Sequence, residues 1–170
     1  DARFIKLLNR VRDNRLDAAA IGALNQRYIE NFTPEKGEGY ITLTTHNRKA
    51  DTINRERLAQ LSETRRELTA QVKGEFPEHA FPTPDRLVLK KGAQVMFLRN
   101  DPTAEKAYYN GKIGRVTSII GDRVFVLCDP EEQSESPFQV EVEPVEWENI
   151  AYTVNEEDQT IKEEVIGRFK

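Results

Sequence analysis

The feature that most restricts the fold is a series of short apolar runs between residues 87 and 154, separated by tight turns. The runs are rich in β-branched and aromatic residues and too short for helices, which is typical of strands. Glycines at the turns allow a positive φ. The pattern predicts strands Leu87–Leu89, Ala93–Arg99, Ile113–Ile119, Arg123–Cys128, Gln139–Val142 and Trp147–Val154. Short strands with tight turns build small antiparallel barrels of the SH3-like or OB-like type.

The N-terminal half predicts helices instead. Apolar residues at helical spacing predict a helix over residues 2–12, and Asp17 is a suitable N-cap for a second helix that runs toward Tyr28. A polar loop over residues 33–39 follows.

A βα unit comes next, with a buried strand over residues 40–45 and a helix over residues 49–61. Such a unit belongs to a parallel α/β sheet, whose other strands must come from the far end of the chain or from missing sequence. Further strands are predicted over residues 68–76 and, after a turn at 155–159, over residues 160–169.

Charge is distributed unevenly, although the formal net charge is −4 and the pI is about 5.4. Most of the charged residues between 86 and 117 are basic, whereas most of those between 129 and 164 are acidic. A local phosphate-binding surface is therefore compatible with the acidic average. The single cysteine, Cys128, excludes an intrachain disulfide and is expected to be a buried thiol. With no apolar run of membrane-spanning length, we expect a reducing, cytoplasmic setting and no membrane.

The sequence lacks the patterns of independent catalysis. Its only Gly-Lys pair, Gly111-Lys112, is followed by Ile113, so no phosphate loop is present. His46 and His79 lie far apart without a cysteine pair nearby, so no metal site is expected. We therefore predict no catalytic residues and no metal ligands, which argues against a stand-alone hydrolase.

One candidate site lies at the strand-to-helix junction, where a helix N-terminus attracts anions. The side chains that add donors there are Thr45, His46, Asn47 and Arg48. The alternative is that Asn47 merely caps the helix.

A second candidate site is the basic, tyrosine-containing part of the predicted barrel. Lysine and arginine bind phosphates, and tyrosine stacks on bases. The candidate DNA-binding residues are Lys90, Lys91, Arg99, Tyr108, Asn110, Lys112 and Arg115. The alternative is a solvated barrel rim whose tyrosines pack on their neighbours.

Two segments resemble the Pif/RecD-type superfamily 1 DNA helicases. Residues 41–58, ITLTTHNRKADTINRERL, resemble motif IV of that family. Residues 87–119, with LVLKKGAQVMFLRND before YYNGKIGRVTSI, look like its SH3-like insertion. The opening FIKLLNRVRDNRLD and the tail EPVEWENIAYTV…EEVIGRF look like the bacterial Pif branch. The resemblance is weakest over residues 62–84.

The resemblance implies an α+β fold. Residues 1–84 would hold the N-terminal helices and the βα unit of an incomplete second RecA-like domain. Residues 85–154 would form the small SH3-like antiparallel β-barrel, and residues 155–170 a strand returning toward the RecA-like domain. The chain starts without methionine inside a helical pattern, so we expect an internal fragment.

The resemblance also implies a parent protein that is an ATP-dependent, five-prime-to-three-prime DNA helicase using ATP and Mg²⁺. Thr45, His46 and Asn47 would lie near the nucleotide cleft and the DNA track, while the barrel would guide single-stranded DNA. The fragment itself would be inactive and need no cofactor. Its expected partners are single-stranded DNA and the remaining helicase domains, and its expected location is the bacterial cytoplasm at the nucleoid.

A protein-interaction module is the alternative function. An SH3-like barrel that binds proline-rich peptides needs an aromatic groove. Tyr108, Tyr109 and Trp147 are the residues available to line it.

Overall fold

The computed structural model describes residues 2–34, 40–130, 136–154 and 160–170. These form two compact units, Asp1–Tyr40 and Ile41–Lys170. None of the helices in the described ranges is both long and apolar enough to cross a lipid bilayer.

The first unit contains two helices, α1 (Ala2–Arg12) and α2 (Ala18–Asn25), as the periodicity predicts. Asp17 is the N-cap of α2, and its carboxylate accepts a hydrogen bond of 2.7 Å from the Ala20 N–H. The Arg10 guanidinium lies 3.0 Å from the same carboxylate. At the other end of α2, the Arg27 guanidinium lies 4.3 Å from the centroid of the Phe4 ring. Polar and cation–π contacts therefore join α1 to both ends of α2.

The helices described in the second unit are α3 (Asn47–Ala59) and a short 3-10 helix (Glu78–Ala80). Its described strands are β1 (Arg66–Thr69), β2 (Val72–Gly74), β3 (Arg86–Leu89), β4 (Gln94–Met96), β5 (Ile113–Ile120), β6 (Arg123–Cys128), β7 (Phe138–Val142), β8 (Trp147–Val154) and β9 (Ile161–Phe169). They pair in three antiparallel sheets with orders β1-β3, β2-β9-β8 and β4-β5-β6-β7.

The core lies on one face of the four-stranded sheet. Alternate residues of β6 are buried, as expected for a strand with one face against the core. The buried cluster comprises Leu89, Ala93, Phe97, Val116, Val124, Val126, Cys128 and Val140. Leu58 from α3, Leu61 just past the end of α3 and Leu68 from β1 pack against it. Val116 is 1% exposed, and burial of one such side chain contributes about 1.5–3 kcal/mol.

The α+β class is confirmed, but the described strands do not close into a barrel. All six strands predicted between residues 87 and 154 are present. They are divided among three sheets, because β3 pairs with β1 and β8 pairs with β9. Only β4 to β7 form a continuous meander. The pairing partners of the outer predicted strands thus come from outside residues 85–154.

Two strand predictions in the N-terminal half are wrong. Residues 40–45 form no strand, since no strand among the described residues pairs with them, and Leu43 is 87% exposed. The strand predicted over residues 68–76 is two strands, β1 and β2, separated at Ala70 and Gln71. The break is required because β1 pairs with β3 whereas β2 pairs with β9.

The C-terminal strand prediction is confirmed by β9, which pairs with β8. The turn predicted at 155–159 lies outside the described residues, as do residues 35–39 of the polar loop and 131–135 of the acidic loop. The domain division after residues 84 and 154 stays a prediction. The β1–β3 pairing crosses the first of these positions, and the β8–β9 pairing crosses the second.

Candidate nucleic-acid interface

Arg115 and the turn at Lys91 form one exposed basic site. Gly92 has φ +85°, which only glycine adopts easily, and its N–H donates to the Val116 carbonyl at 2.7 Å. The Arg115 guanidinium donates to the Gly92 carbonyl at 3.1 Å. Lys91 and Arg115 are both exposed, so the turn places two cations at one edge of the four-stranded sheet.

Lys90, beside them in sequence, has a structural partner. Its ammonium donates a 2.6 Å hydrogen bond to the carbonyl of Leu61, just past the end of α3. The C-terminal end of a helix carries a partial negative charge, which favours a cation close to it. Lys90 therefore ties α3 to the sheet and is less available to a ligand than Lys91.

The remaining candidates in this region lie on a hairpin over residues 97–112, here called the 97–112 hairpin. Its base is closed by two hydrogen bonds: the Phe97 N–H donates to the Lys112 carbonyl at 2.9 Å, and the Gly111 N–H donates to the Phe97 carbonyl at 2.8 Å. Higher up, the Asn110 N–H donates to the Asn100 side-chain oxygen at 2.9 Å. The strand predicted over 93–99 accordingly ends at Met96, where the hairpin begins.

Asp101, which the sequence does not single out, organises the tip of this hairpin. It is 4% exposed, and its carboxylate accepts hydrogen bonds of 2.8 Å from the N–H groups of Thr103 and Ala107. The Thr103 N–H is the main reason why the pKa of Asp101 lies below its ordinary value, against the opposing effect of burial. The Lys106 ammonium donates to the Asp101 carbonyl at 3.2 Å. A buried carboxylate thus fixes the backbone of residues 101–107.

We expect Asp101→Asn to remove part of the pH dependence of stability. A carboxyl whose pKa is lowered by folding adds stability above its unfolded value of about 3.9. That stability is lost as the pH falls through the lowered folded pKa. Urea unfolding between about pH 6 and pH 3 measures it, and Glu105→Gln, at an exposed position of the same loop, is the matched control. Identical pH dependence in wild type and Asp101→Asn would contradict this role.

Tyr108 and Lys112, two predicted DNA-binding residues, face inward. The Tyr108 ring is stacked on Phe97 with centroids 4.2 Å apart, and burial raises its pKa. Lys112 is 7% exposed, and its ammonium lies 5.4 Å from the Tyr109 ring centroid and 5.3 Å from that of Phe138. Among the hairpin candidates, Asn110 remains exposed, as does Tyr109, which is 48% exposed.

Arg99 has a different set of neighbours from the residues described above. Its guanidinium is 5.4 Å from the Trp147 ring centroid, in an open groove of about 580 Å³ also lined by Asn100, Glu146 and Glu148. Arg168 forms an ion pair with Glu146 at 3.1 Å. This groove contains Trp147 but neither Tyr108 nor Tyr109, so the three aromatic residues considered for peptide recognition do not line it together.

The predicted strand-to-helix junction is the N-terminus of α3, with no strand before it, and its donors are exposed. The Thr44 hydroxyl donates to the His46 carbonyl at 2.9 Å, and the Thr45 hydroxyl lies 2.8 Å from His46 Nδ1. The N-cap of α3 is His46, without a side-chain capping hydrogen bond, so Asn47 is not the cap but the first helical residue. Thr45, His46, Asn47 and Arg48 are all exposed at this N-terminus. The structure thus brings this predicted set together.

The resemblance implies a magnesium ion in the parent protein. Within the described ranges, no group of three or more His, Cys, Asp or Glu side chains is arranged to hold a metal. Together with the missing phosphate loop, this means that the residues present do not fit a complete Mg·ATP site.

Comparison with known proteins gives a consistent result. No protein-family model matches the chain. The chain is 29% identical over 134 residues to the ATP-dependent DNA helicase Pif1 of Bdellovibrio bacteriovorus, which covers 76% of this chain and 29% of that protein. The crystal structure of Bacteroides sp. Pif1 with ADP-AlF4 matches with a TM-score of 0.77 and 29% identity, over 99% of this chain and 36% of the other. Bacteroides Pif1 bound to single-stranded DNA matches with a TM-score of 0.64 and 29% identity, over 99% and 36% of the two chains.

Proposed function

We propose, on the premise that this chain is a segment of a Pif1-type superfamily 1 helicase, that it contributes to single-stranded DNA guidance and to the motor cleft of an ATP-dependent DNA helicase. The observation that carries this proposal is the match of the fold to Bacteroides Pif1 over 99% of the chain. The chain spans about 29% of the curated relative and 36% of the Bacteroides protein, and we assign the activity to a parent protein of that kind.

DNA guidance is assigned to the exposed basic site at Lys91 and Arg115. Contacts between cations and phosphates supply most of the sequence-independent affinity for nucleic acid. The turn suits that role, because hydrogen bonds to Val116 and Arg115 fix the backbone at Gly92 between the two cations. Arg99 and Asn110 stay in the proposed set as exposed or half-buried polar groups. Lys90, Tyr108 and Lys112 would act through their structural contacts.

The junction of Thr45, His46, Asn47 and Arg48 is proposed to face the nucleotide cleft or the DNA track. Its support is the cluster of exposed donors at the N-terminus of a helix that is 13 residues long, where negative charge is favoured. The phosphates of ATP and those of DNA both carry the negative charge that such a site favours. We assign ATP and Mg²⁺ to the parent protein, and no step of hydrolysis to the residues of this chain. The predicted cytoplasmic, nucleoid-associated location stays a prediction.

The proposal is tested with the full-length protein. We expect it to hydrolyse ATP faster when single-stranded DNA is added, and to unwind a duplex that carries a five-prime tail in preference to one with a three-prime tail. A radiolabelled or fluorescent strand-displacement assay with both tailed duplexes measures this. Absence of DNA-stimulated hydrolysis would overturn the helicase function. Preference for the three-prime tail would overturn only the polarity.

A further inference from the structure

Two buried charged side chains occur in the described part of the chain, Asp101 and Lys112, and both belong to the 97–112 hairpin. Removing a charge from water is unfavourable unless other groups compensate for it. For Asp101 the compensation is the pair of N–H groups at the hairpin tip. For Lys112 it includes the rings of Tyr109 and Phe138, both within cation–π range. Each buried charge thus fixes a different part of the same hairpin.

Tyr109 is the exposed member of this arrangement. It is 48% exposed, although the Lys112 ammonium lies over its ring. The neighbouring Tyr108 packs against the protein interior, where its ring is stacked on that of Phe97. Since one part of the Tyr109 ring is occupied by the ammonium and much of the remainder is open, the ring is held in place without being covered.

We infer that Tyr109 is a stacking platform for a nucleobase of single-stranded DNA, positioned by the Lys112 ammonium. The inference deepens the proposed function and rests on it. A base presents a flat π face whatever its identity, so an exposed tyrosine recognises single strands without sequence preference. Pre-positioning the ring reduces the order that must be gained on binding. Asn110, exposed next to Tyr109, offers an amide to the edge of a stacked base.

The test uses fluorescence anisotropy of the full-length protein with two oligonucleotides of equal length, oligo-dT and a strand of abasic spacers. We expect Tyr109→Ala to weaken binding to oligo-dT by roughly 5- to 150-fold, the range for loss of one stacked base. Binding to the abasic strand should not change, because it has phosphates but no bases. Tyr109→Phe keeps the ring and should bind as wild type does, and Tyr152→Ala, at an exposed tyrosine on β8, is the matched control.

The role of Lys112 is tested by Lys112→Met, which keeps a long side chain but removes the ammonium. We expect part of the Tyr109→Ala loss, on oligo-dT only, and no further loss when the two substitutions are combined. Thermal unfolding of each variant shows that it is folded.

The outcomes separate the inference from the proposed function. Equal weakening on both oligonucleotides, or no effect of Tyr109→Ala while Lys91→Glu with Arg115→Glu weakens binding, overturns the stacking role and leaves the DNA role intact. No binding by the wild-type protein at low salt overturns both.

Discussion

Gly167→Ala is expected to lower the free energy of unfolding by about 1–3 kcal/mol or more, the range for overpacking a close contact. A Cβ at this position would meet the Glu75 carbonyl and the Phe76 N–H. Both are backbone atoms, which cannot rotate away as a flexible side chain can. Gly167 faces Gly74 in the β2–β9 pairing, and the Asn149 side chain donates to the Glu75 carbonyl at 2.8 Å, which fixes that backbone further.

A substitution at Gly167 would also affect the aromatic residues packed next to it. Phe169, two residues on, is 4% exposed and lies 4.8 Å from Phe81 and 5.9 Å from Phe76 between ring centroids. A shift of β9 away from β2 would therefore disturb this aromatic cluster. Since β9 also pairs with β8, the whole three-stranded sheet depends on the approach at Gly167.

Urea or thermal unfolding of the full-length protein measures this effect, and Gly22→Ala is the matched control. Gly22 lies in α2 with no atom within 4 Å of the added Cβ, so alanine should be neutral or stabilising by up to about 1 kcal/mol. Equal stability of Gly167→Ala and wild type would show that β2 and β9 are not packed as described.

Reversing two exposed charges, Lys91→Glu with Arg115→Glu, is expected to weaken single-stranded DNA binding at low salt by at least about tenfold. Each substitution replaces an attraction for phosphate by a repulsion, and the two side chains flank the same turn at Gly92. Anisotropy with labelled oligo-dT measures the dissociation constant.

The control is Lys73→Glu with Lys162→Glu, which changes the net charge equally at two exposed lysines on β2 and β9. Its affinity should stay near that of wild type if the site at Lys91 and Arg115 matters rather than the overall charge. Equal weakening in both double variants would assign binding to general electrostatics.

Local features of the fold could be predicted because they depend on neighbouring residues. β6 and β8 have the predicted bounds, since alternating apolar residues and flanking turns define a strand without reference to its partner. The N-cap at Asp17 was likewise readable. The pairing of the strands could not be predicted from the sequence, because the partners of β1 and β9 are set by packing between distant segments. Residues 40–45 have strand-forming side chains but no partner strand among the described residues.

The candidate site stays a prediction, and the structure shows details of its residues that the sequence did not predict. Lysine is almost never buried, so the sequence predicted Lys112 to be a surface cation, whereas the structure buries it. The adjacent pair Tyr108 and Tyr109 contained one usable signal. Neighbouring side chains in an extended segment point to opposite sides, so the sequence predicts that one of the two tyrosines faces inward. Which one does so depends on the register of the hairpin, which is set by the hydrogen bonds of Phe97 and Asp101.

The salt dependence of single-stranded DNA binding by the full-length protein tests the central claim most directly. The account predicts a linear fall of log affinity with log salt concentration, with a slope of about 0.7 for each phosphate contacted. In Lys91→Glu with Arg115→Glu the slope should decrease by the equivalent of one or two contacts. An unchanged slope in that variant, or wild-type binding that does not respond to salt, would contradict a role of this surface in guiding DNA.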